Sequence, residues 1–122
     1  MEGTAAVVLV VEDEFHIRMD ALEMLEAAGF ATIEAANADE AIRIFESRDD
    51  IRVLVTDIDM PGSMDGLKLA HVVREKWPPV KLVVVSGKRT PRFEELPADT
   101  LFYGKPYNMD EVTAGIGKLL AT

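Results

Sequence analysis

Carboxylate side chains follow directly after two of the most apolar segments of the chain. Val7–Val11 is followed by an acidic triplet that begins with Glu12, and the run 53–55 is followed shortly by Asp57. Carboxylates that crowd together repel each other unless a cation lies among them. Magnesium takes oxygen ligands and retains several waters, so two carboxylates, a backbone carbonyl and waters can complete its shell. The sequence contains no cysteine, which excludes thiolate-bound metals and favours such a hard cation.

A hydroxyl and an ammonium group follow two further apolar runs. Ser86 comes after the run 81–85, and Lys105 comes shortly after the run 101–103. A lysine offers a compact positive charge to a phosphate oxygen, and a serine can donate a hydrogen bond to another. Such a set suits phosphoryl transfer, in which catalysis is mostly positioning and neutralisation of charge. The carboxylate of Asp57 would then be the nucleophile and form an acyl phosphate.

Apolar runs and amphipathic stretches alternate along the whole chain, which predicts an α/β fold. Predicted strands cover Val7–Val11, 32–35, 53–55, 81–85 and 101–103. Predicted helices cover 15–28, 37–48, 67–76 and 108–120, and capping-box patterns begin at Asn37 and Asn108. Strands and helices in this order form right-handed βαβ units. We therefore expect a doubly wound sheet of five parallel strands with helices on both faces.

The candidate side chains all stand at the carboxyl ends of predicted strands, where doubly wound folds place their sites. A flavodoxin-like strand order, 2-1-3-4-5, puts the first and third strands side by side. Glu12, Asp13 and Asp57 would then converge. Ser86 and Lys105 would approach them from the fourth and fifth strands.

The segment 88–100 contains the most unusual helix signal of the chain. Thr90 is a good N-cap and is followed by a proline at the first helical position. Pro97 opposes continuation, so we expect a fourth helix of about one to two turns, with Phe93 and Leu96 as its apolar anchors. Two interpretations remain open: a mobile segment that gains order on activation, and a rigid loop pinned by its prolines.

Composition narrows the class of protein. The chain has 122 residues, of which 48% are hydrophobic, which fits one folded domain and argues against disorder. No apolar run is long enough to cross a bilayer, and the N-terminus lacks the pattern of a secretory signal, so a cytoplasmic location is expected. The net charge of −9 disfavours direct contact with nucleic acid.

Four segments, in this order and on these strands, resemble the response-regulator receiver domain of two-component signalling. They are VVLVVEDE, VTDIDMPGSMDGL, VVVSGK and LFYGKPY. The resemblance covers essentially the whole chain and implies a single receiver domain over 1–122 with no output domain. One departure is the loop 61–66, which looks one residue longer than the commonest family form.

The resemblance implies roles for the acidic residues. Asp57 corresponds to the phosphoacceptor, and Asp13 to a direct ligand of Mg²⁺, with Mn²⁺ as a substitute ion. Glu12 would reach the ion through water. The backbone carbonyl of Asp59 would supply a further ligand.

The resemblance also implies a switch. Ser86 corresponds to the switch hydroxyl, Lys105 to the lysine that contacts the phosphoryl group, and Phe102 to the aromatic switch position. The expected partners are a histidine kinase or a histidine phosphotransfer protein and an unknown downstream protein. We expect no contact with a membrane and a monomer or weak dimer.

In receiver domains the phosphodonor typically meets the first helix and the loop after the fifth strand. Pro106 and Tyr107 lie on that loop, and Phe15, Met19 and Leu22 form a stripe on the first helix that would dock the partner. The alternative is that this stripe belongs to a wide buried face. The core stripe is predicted at Ile17, Ala21, Met24 and Ala28.

Two other functions were considered beside the switch. The motif Asp57-Ile58-Asp59 resembles the D-x-D motif of haloacid-dehalogenase-like magnesium-dependent phosphatases, although that family places it at the first strand of a longer chain. The other is a degenerate receiver that acts only as a binding module. The sequence favours a switch that is not an enzyme beyond its own phosphoryl transfer and dephosphorylation.

Overall fold

The computed structural model describes residues 5–87 and 90–121, and it alternates strands and helices as predicted. The strands are β1 Val7–Val11, β2 Ala31–Ala35, β3 Ile51–Asp57, β4 Lys81–Ser86 and β5 Leu101–Gly104. The helices are α1 Phe15–Ala27, α2 Ala38–Ser47, α3 Gly66–Lys76 and α4 Met109–Leu120. One turn of 3₁₀ helix, Phe93–Glu95, lies between β4 and β5.

The five strands form one parallel sheet in the order β2-β1-β3-β4-β5, so the predicted flavodoxin-like topology is confirmed. The register aligns the carboxyl ends of the central strands. Val11 is opposite Thr56, Asp57 is opposite Val85, and Ser86 is opposite Gly104. Residues that follow these strands therefore meet at one edge of the sheet.

Both faces of the sheet are buried, which explains why the central strands are continuously apolar rather than alternating. Leu9, Leu54 and Leu82 point to the face covered by α2 and α3, whereas Val53 and Val83 point to the face covered by α1 and α4. Within 5–87 and 90–121, no helix is long and apolar enough to cross a membrane.

Helix α1 buries members of both of its apolar stripes. Its buried residues are Ala21, Leu22 and Leu25, whereas Met24 is 41% exposed and Ala28 is exposed at the C-cap. The predicted core stripe is therefore wrong at Met24 and Ala28. Leu22 is only 8% exposed and packs in the core, which contradicts its predicted docking role and agrees with the alternative of a wide buried face. Apolar residues occur on two sides of this helix, so periodicity alone could not choose the buried side.

The helix expected within 88–100 is reduced to the single 3₁₀ turn Phe93–Glu95. Lys88 and Arg89 lie outside the described residues. Thr90 is not the N-cap, because the turn begins after Arg92, whose backbone N–H donates to the carboxylate of the turn's last residue at 2.7 Å. A helix that began at Pro91 would lose a hydrogen bond at Pro97. The backbone of Arg92 is instead extended directly before the turn.

Only one of the two predicted anchors of this segment contacts the core. Leu96 packs against the face of α2 and α3, but Phe93 is 92% exposed, so its predicted role as an anchor is wrong. Pro91 and Pro97 are both buried. Their burial agrees with the interpretation of a loop pinned by its prolines, whereas order gained on activation stays a prediction.

Side chains of α3 attach this segment to the domain. Nε2 of His71 lies 2.6 Å from the carbonyl oxygen of Glu95. Arg74 donates from Nη2 to the carbonyl of Ala98 at 2.9 Å and from Nη1 to that of Pro78 at 3.0 Å. The segment is therefore held through its backbone carbonyls.

We predict that Arg74→Ala lowers the free energy of unfolding by roughly 1–3 kcal/mol, because the carbonyl groups of Pro78 and Ala98 lose a charged hydrogen-bond donor. Amide hydrogen exchange at residues 96–100 should become faster in this variant. The control is Lys68→Ala, which removes an exposed cation from the same helix. Equal exchange in both variants would contradict the proposed attachment.

Candidate functional site

Three carboxylates meet where β1 and β3 end. Oxygens of Glu12, Asp13 and Asp57 all lie within 4.8 Å of one another, close enough to share a metal ion. Glu12 and Asp57 are each 5% exposed, whereas Asp13 is exposed. The backbone extends β1 by one further bond, since the N–H of Glu12 donates to the carbonyl of Ala35 at 3.1 Å.

Lys105 places a positive charge between two of these acids. Its Nζ lies 2.8 Å from Oδ2 of Asp57 and 3.3 Å from Oε1 of Glu12. Burial alone would lower the pKa of Lys105, but its hydrogen bonds and charge interactions with Asp57 and Glu12 together raise the pKa. The ammonium therefore stays protonated and is aimed at the acceptor carboxylate.

The carboxyl group of Glu12 has a raised pKa. Burial raises its pKa from 4.5 to about 7, although the N–H of Glu14 donates to it at 3.0 Å and opposes the rise. The negative charge of Asp57 raises the pKa further. The pocket thus holds more negative charge than one lysine compensates, which is the condition that favours a bound cation.

A short chain of hydrogen bonds links Asp57 to Ser86. The backbone N–H of Asp59 donates to Oδ1 of Asp57 at 3.2 Å, and Oγ of Ser86 donates to Oδ2 of Asp59 at 2.7 Å. Ser86 is 2% exposed. The receiver resemblance implies a role for the carbonyl of Asp59, and the D-x-D alternative uses its carboxylate, but neither predicts the bond to Ser86. The missed signal was the acid two positions after Asp57, which faces the end of the neighbouring strand.

Gly66 permits α3 to approach the backbone of Asp57. A Cβ atom at this glycine would overlap the carbonyl of Asp57 and approach Oγ1 of Thr56 to 2.8 Å. The preceding residue, Asp65, caps the helix by accepting from the N–H of Lys68 at 2.9 Å. No sequence pattern indicates this role of Gly66, because the glycine lies close to Asp57 only in the folded chain.

The predicted switch and docking residues lie around this centre. Phe102 is half-buried and packs against the core on the face of α2 and α3. Pro106 and Tyr107 line a cavity of about 360 Å³ beside Lys105, together with Ile17 and other residues of α1. The predicted stripe does not line this cavity: Phe15 is 56% exposed, Met19 is half-buried, and Leu22 is in the core.

The family model for the response regulator receiver domain matches residues 8–114. The chain belongs to this family. The match covers β1 from its second residue, the other four strands and the first half of α4, and it includes the acidic pocket, the serine and the lysine. Members of this receiver domain family are signalling switches.

Known receiver proteins resemble the chain in sequence and in structure. The sensor kinase CckA of Brucella abortus is 34% identical over 120 residues, which are 95% of this chain but 13% of that kinase. The chain thus spans a small part of this relative. A response regulator receiver protein of Sinorhizobium medicae superposes with a TM-score of 0.90 at 27% identity, over 97% of this chain and 96% of that one.

A further solved structure is of interest for its ligand. The response regulator TrrA of Thermotoga maritima, solved in complex with Mg(2+)-BeF, is 30% identical to this receiver domain. The TM-score is 0.81, and the match covers 93% of this chain and 97% of that chain.

We predict that Gly66→Ala lowers the free energy of unfolding by roughly 1–3 kcal/mol, because the added Cβ overlaps the Asp57 carbonyl. The matched control is Gly117→Ala in α4, where a Cβ meets no atom within 4 Å. That variant should be more stable by about 0.5–1 kcal/mol, since alanine favours a helix. Chemical denaturation of both variants measures the difference, and a tolerated Gly66→Ala would refute the close approach.

Proposed function

We propose that the chain is a phospho-accepting switch in which Asp57 receives a phosphoryl group from a histidine kinase or a histidine phosphotransfer protein. A carboxylate oxygen of Asp57 attacks phosphorus, the bond from phosphorus to the donor imidazole nitrogen breaks, and that nitrogen takes up a proton. The observation that carries the proposal is the contact of Lys105 Nζ with Asp57 Oδ2 at 2.8 Å beside the other two acids.

The donor set fits Mg²⁺. Asp13, Asp57 and the backbone carbonyl of Asp59 would hold the ion directly, and Glu12 would hold it through water. All are oxygen donors, and the carboxylate oxygens already lie within 4.8 Å of one another. When bound, the ion would neutralise charge that develops on the transferring phosphoryl group. The complex of TrrA with Mg(2+)-BeF supports this proposal.

Ser86 and Lys105 would convert the new charge into a change of shape. Ser86 donates to Asp59 before phosphorylation. A phosphoryl oxygen is a stronger acceptor, so the hydroxyl would exchange Asp59 for the phosphoryl group, and Lys105 would follow its charge. Phe102 would then turn toward the space that Ser86 leaves.

The partner would approach the side of the site formed by α1 and the loop after β5. Pro106 and Tyr107, with exposed Phe15 and half-buried Met19, are the proposed contacts. We propose that the signal then passes to another protein and not directly to nucleic acid or a membrane. A cytoplasmic location, a stand-alone domain and a monomer or weak dimer stay predictions.

The other two functions fit the structure less well. A phosphatase of the D-x-D type needs the second acid to exchange protons with the substrate, but Oδ2 of Asp59 accepts the hydrogen bond of buried Ser86. A degenerate receiver would lack a working acid site, and here three acids and Lys105 lie together.

We predict that the protein gains one phosphoryl group from acetyl phosphate in the presence of Mg²⁺. Intact mass spectrometry should show the gain, and alkali should remove it because an acyl phosphate is base-labile. Asp57→Asn keeps the shape of the side chain but removes the nucleophile, so it should gain none. A base-labile phosphate retained in Asp57→Asn would contradict the assignment, and turnover of added phosphate esters would favour the phosphatase.

A second prediction concerns the stability of the metal-free protein. The folded state raises the pKa of Glu12 from 4.5 to about 7, so between these values it retains a proton that the unfolded chain has released. Stability in EDTA should therefore fall as pH rises through this interval and then level off. Glu12→Gln should lack this decline, whereas the exposed Glu23→Gln should keep it. Urea denaturation at pH values on both sides of the interval provides the measurement.

A third prediction separates phosphorylation from switching. Ser86→Ala should still accept phosphate, because the nucleophile, acids and lysine are intact. Phosphate-dependent NMR shifts at Phe102 should be small in this variant and should persist in Ser86→Thr, which keeps the hydroxyl. Parent-like shifts in Ser86→Ala would show that the hydroxyl does not transmit the signal.

A further inference from the structure

Arg18 on α1 contacts the backbone of the acidic pocket. Its Nη1 donates to the carbonyl oxygen of Glu12 at 2.7 Å, and its Nε donates to Oε1 of Glu34 on β2 at 2.7 Å. The Arg18 side chain is 12% exposed, and its guanidinium carbon lies 5.5 Å from the ring centre of Phe15. The guanidinium thus connects α1, the end of β1 and the edge strand β2.

The carbonyl that Arg18 holds belongs to the peptide group between Glu12 and Asp13. A peptide group is planar and stiff, so fixing its oxygen restricts rotation on both sides of it. Asp13 is exposed. Because this side chain is exposed, the protein can best orient the Asp13 carboxylate toward Glu12 and Asp57 by fixing the Asp13 backbone.

We propose that Arg18 is a positioning residue of the cation site, which holds the Glu12–Asp13 peptide so that Asp13 faces the ion. This inference rests on the proposed function, in which Asp13 is a direct ligand of Mg²⁺. Arg18 itself touches neither the ion nor the phosphoryl group. Its ion pair with Glu34 keeps the guanidinium directed at the carbonyl.

The positive charge of Arg18 would by itself have the opposite effect on Mg²⁺ binding from the proposed positioning. A positive group near a cation site opposes binding of the ion, so removing it should strengthen Mg²⁺ binding if charge alone mattered. Loss of positioning should weaken binding instead. We expect positioning to dominate, because Glu34 already offsets the guanidinium charge. Residues that orient metal ligands typically change affinity by 10–100-fold, and we expect about tenfold here, where only one ligand is affected.

The test is the dissociation constant of Mg²⁺ for the full chain, measured from amide shifts in NMR titrations and repeated with Mn²⁺ by electron paramagnetic resonance. Arg18→Met should bind Mg²⁺ about tenfold more weakly than the parent. Arg18→Lys keeps the charge but has no fork to reach both acceptors, so it should also be weaker. The matched control, Arg43→Met, removes an exposed arginine of α2 and should bind Mg²⁺ as tightly as the parent.

A double variant distinguishes positioning from a general loss of structure. Asp13→Ala should weaken Mg²⁺ binding, and adding Arg18→Met to it should cause no further loss if Arg18 acts through Asp13. Thermal unfolding in EDTA shows which variants are folded. If Arg18→Met is not folded, the Mg²⁺ affinity of Arg18→Lys tests the inference in its place.

Three results would count against the inference or its basis. Mg²⁺ binding as tight as the parent's, or tighter, in folded Arg18→Met or Arg18→Lys would overturn the inference and leave the proposed function intact. A full further loss in the double variant would overturn it as well. A parent protein that neither binds Mg²⁺ nor accepts phosphate from acetyl phosphate would overturn the proposed function itself.

Discussion

Repulsion among carboxylates at the ends of β1 and β3 is the constraint on which the rest of the site depends. Glu12 and Asp57 are almost fully buried and face each other, and the ammonium of Lys105 is the cation that the structure places between them. Parallel pairing of β1 with β3 forces the acids together, and the cover of helices on both faces keeps most water away. The fold therefore creates an unfavourable concentration of negative charge that a bound cation would relieve.

The strands and the main site could be predicted because their signals are local and reinforce each other. A buried parallel strand needs a continuous apolar run, and the polar residue after it must lie at the carboxyl edge. Family resemblance then gave roles to Asp57, Lys105 and Ser86. The contacts of Asp59, Gly66 and Arg18 could not be predicted in this way, because each depends on a distance between segments that pattern and spacing leave undetermined.

The errors share a physical cause. Helix α1 has apolar residues on two sides, so the identity of its buried side depends on packing against α4 and the sheet, not on its own periodicity. In the segment before β5, the predicted helix had Phe93 and Leu96 as anchors, but the chain buries Pro91 and Pro97, keeps Leu96 against the core and leaves Phe93 exposed. Local sequence patterns identified the apolar residues of these two segments, but tertiary contacts decided which of these residues are buried.

The segment that carries Phe93 is held by α3 through main-chain oxygens, since His71 and Arg74 contact the carbonyls of Glu95 and Ala98. Every residue type has a backbone carbonyl, so these two contacts do not depend on the side chains at positions 95 and 98. Outward-facing side chains such as Phe93 can therefore diverge between related proteins, or be exchanged by design, without altering how the segment is fastened. The exposed side chains of this segment and the acidic pocket thus belong to separate groups of atoms, so the former can change without disturbing the latter.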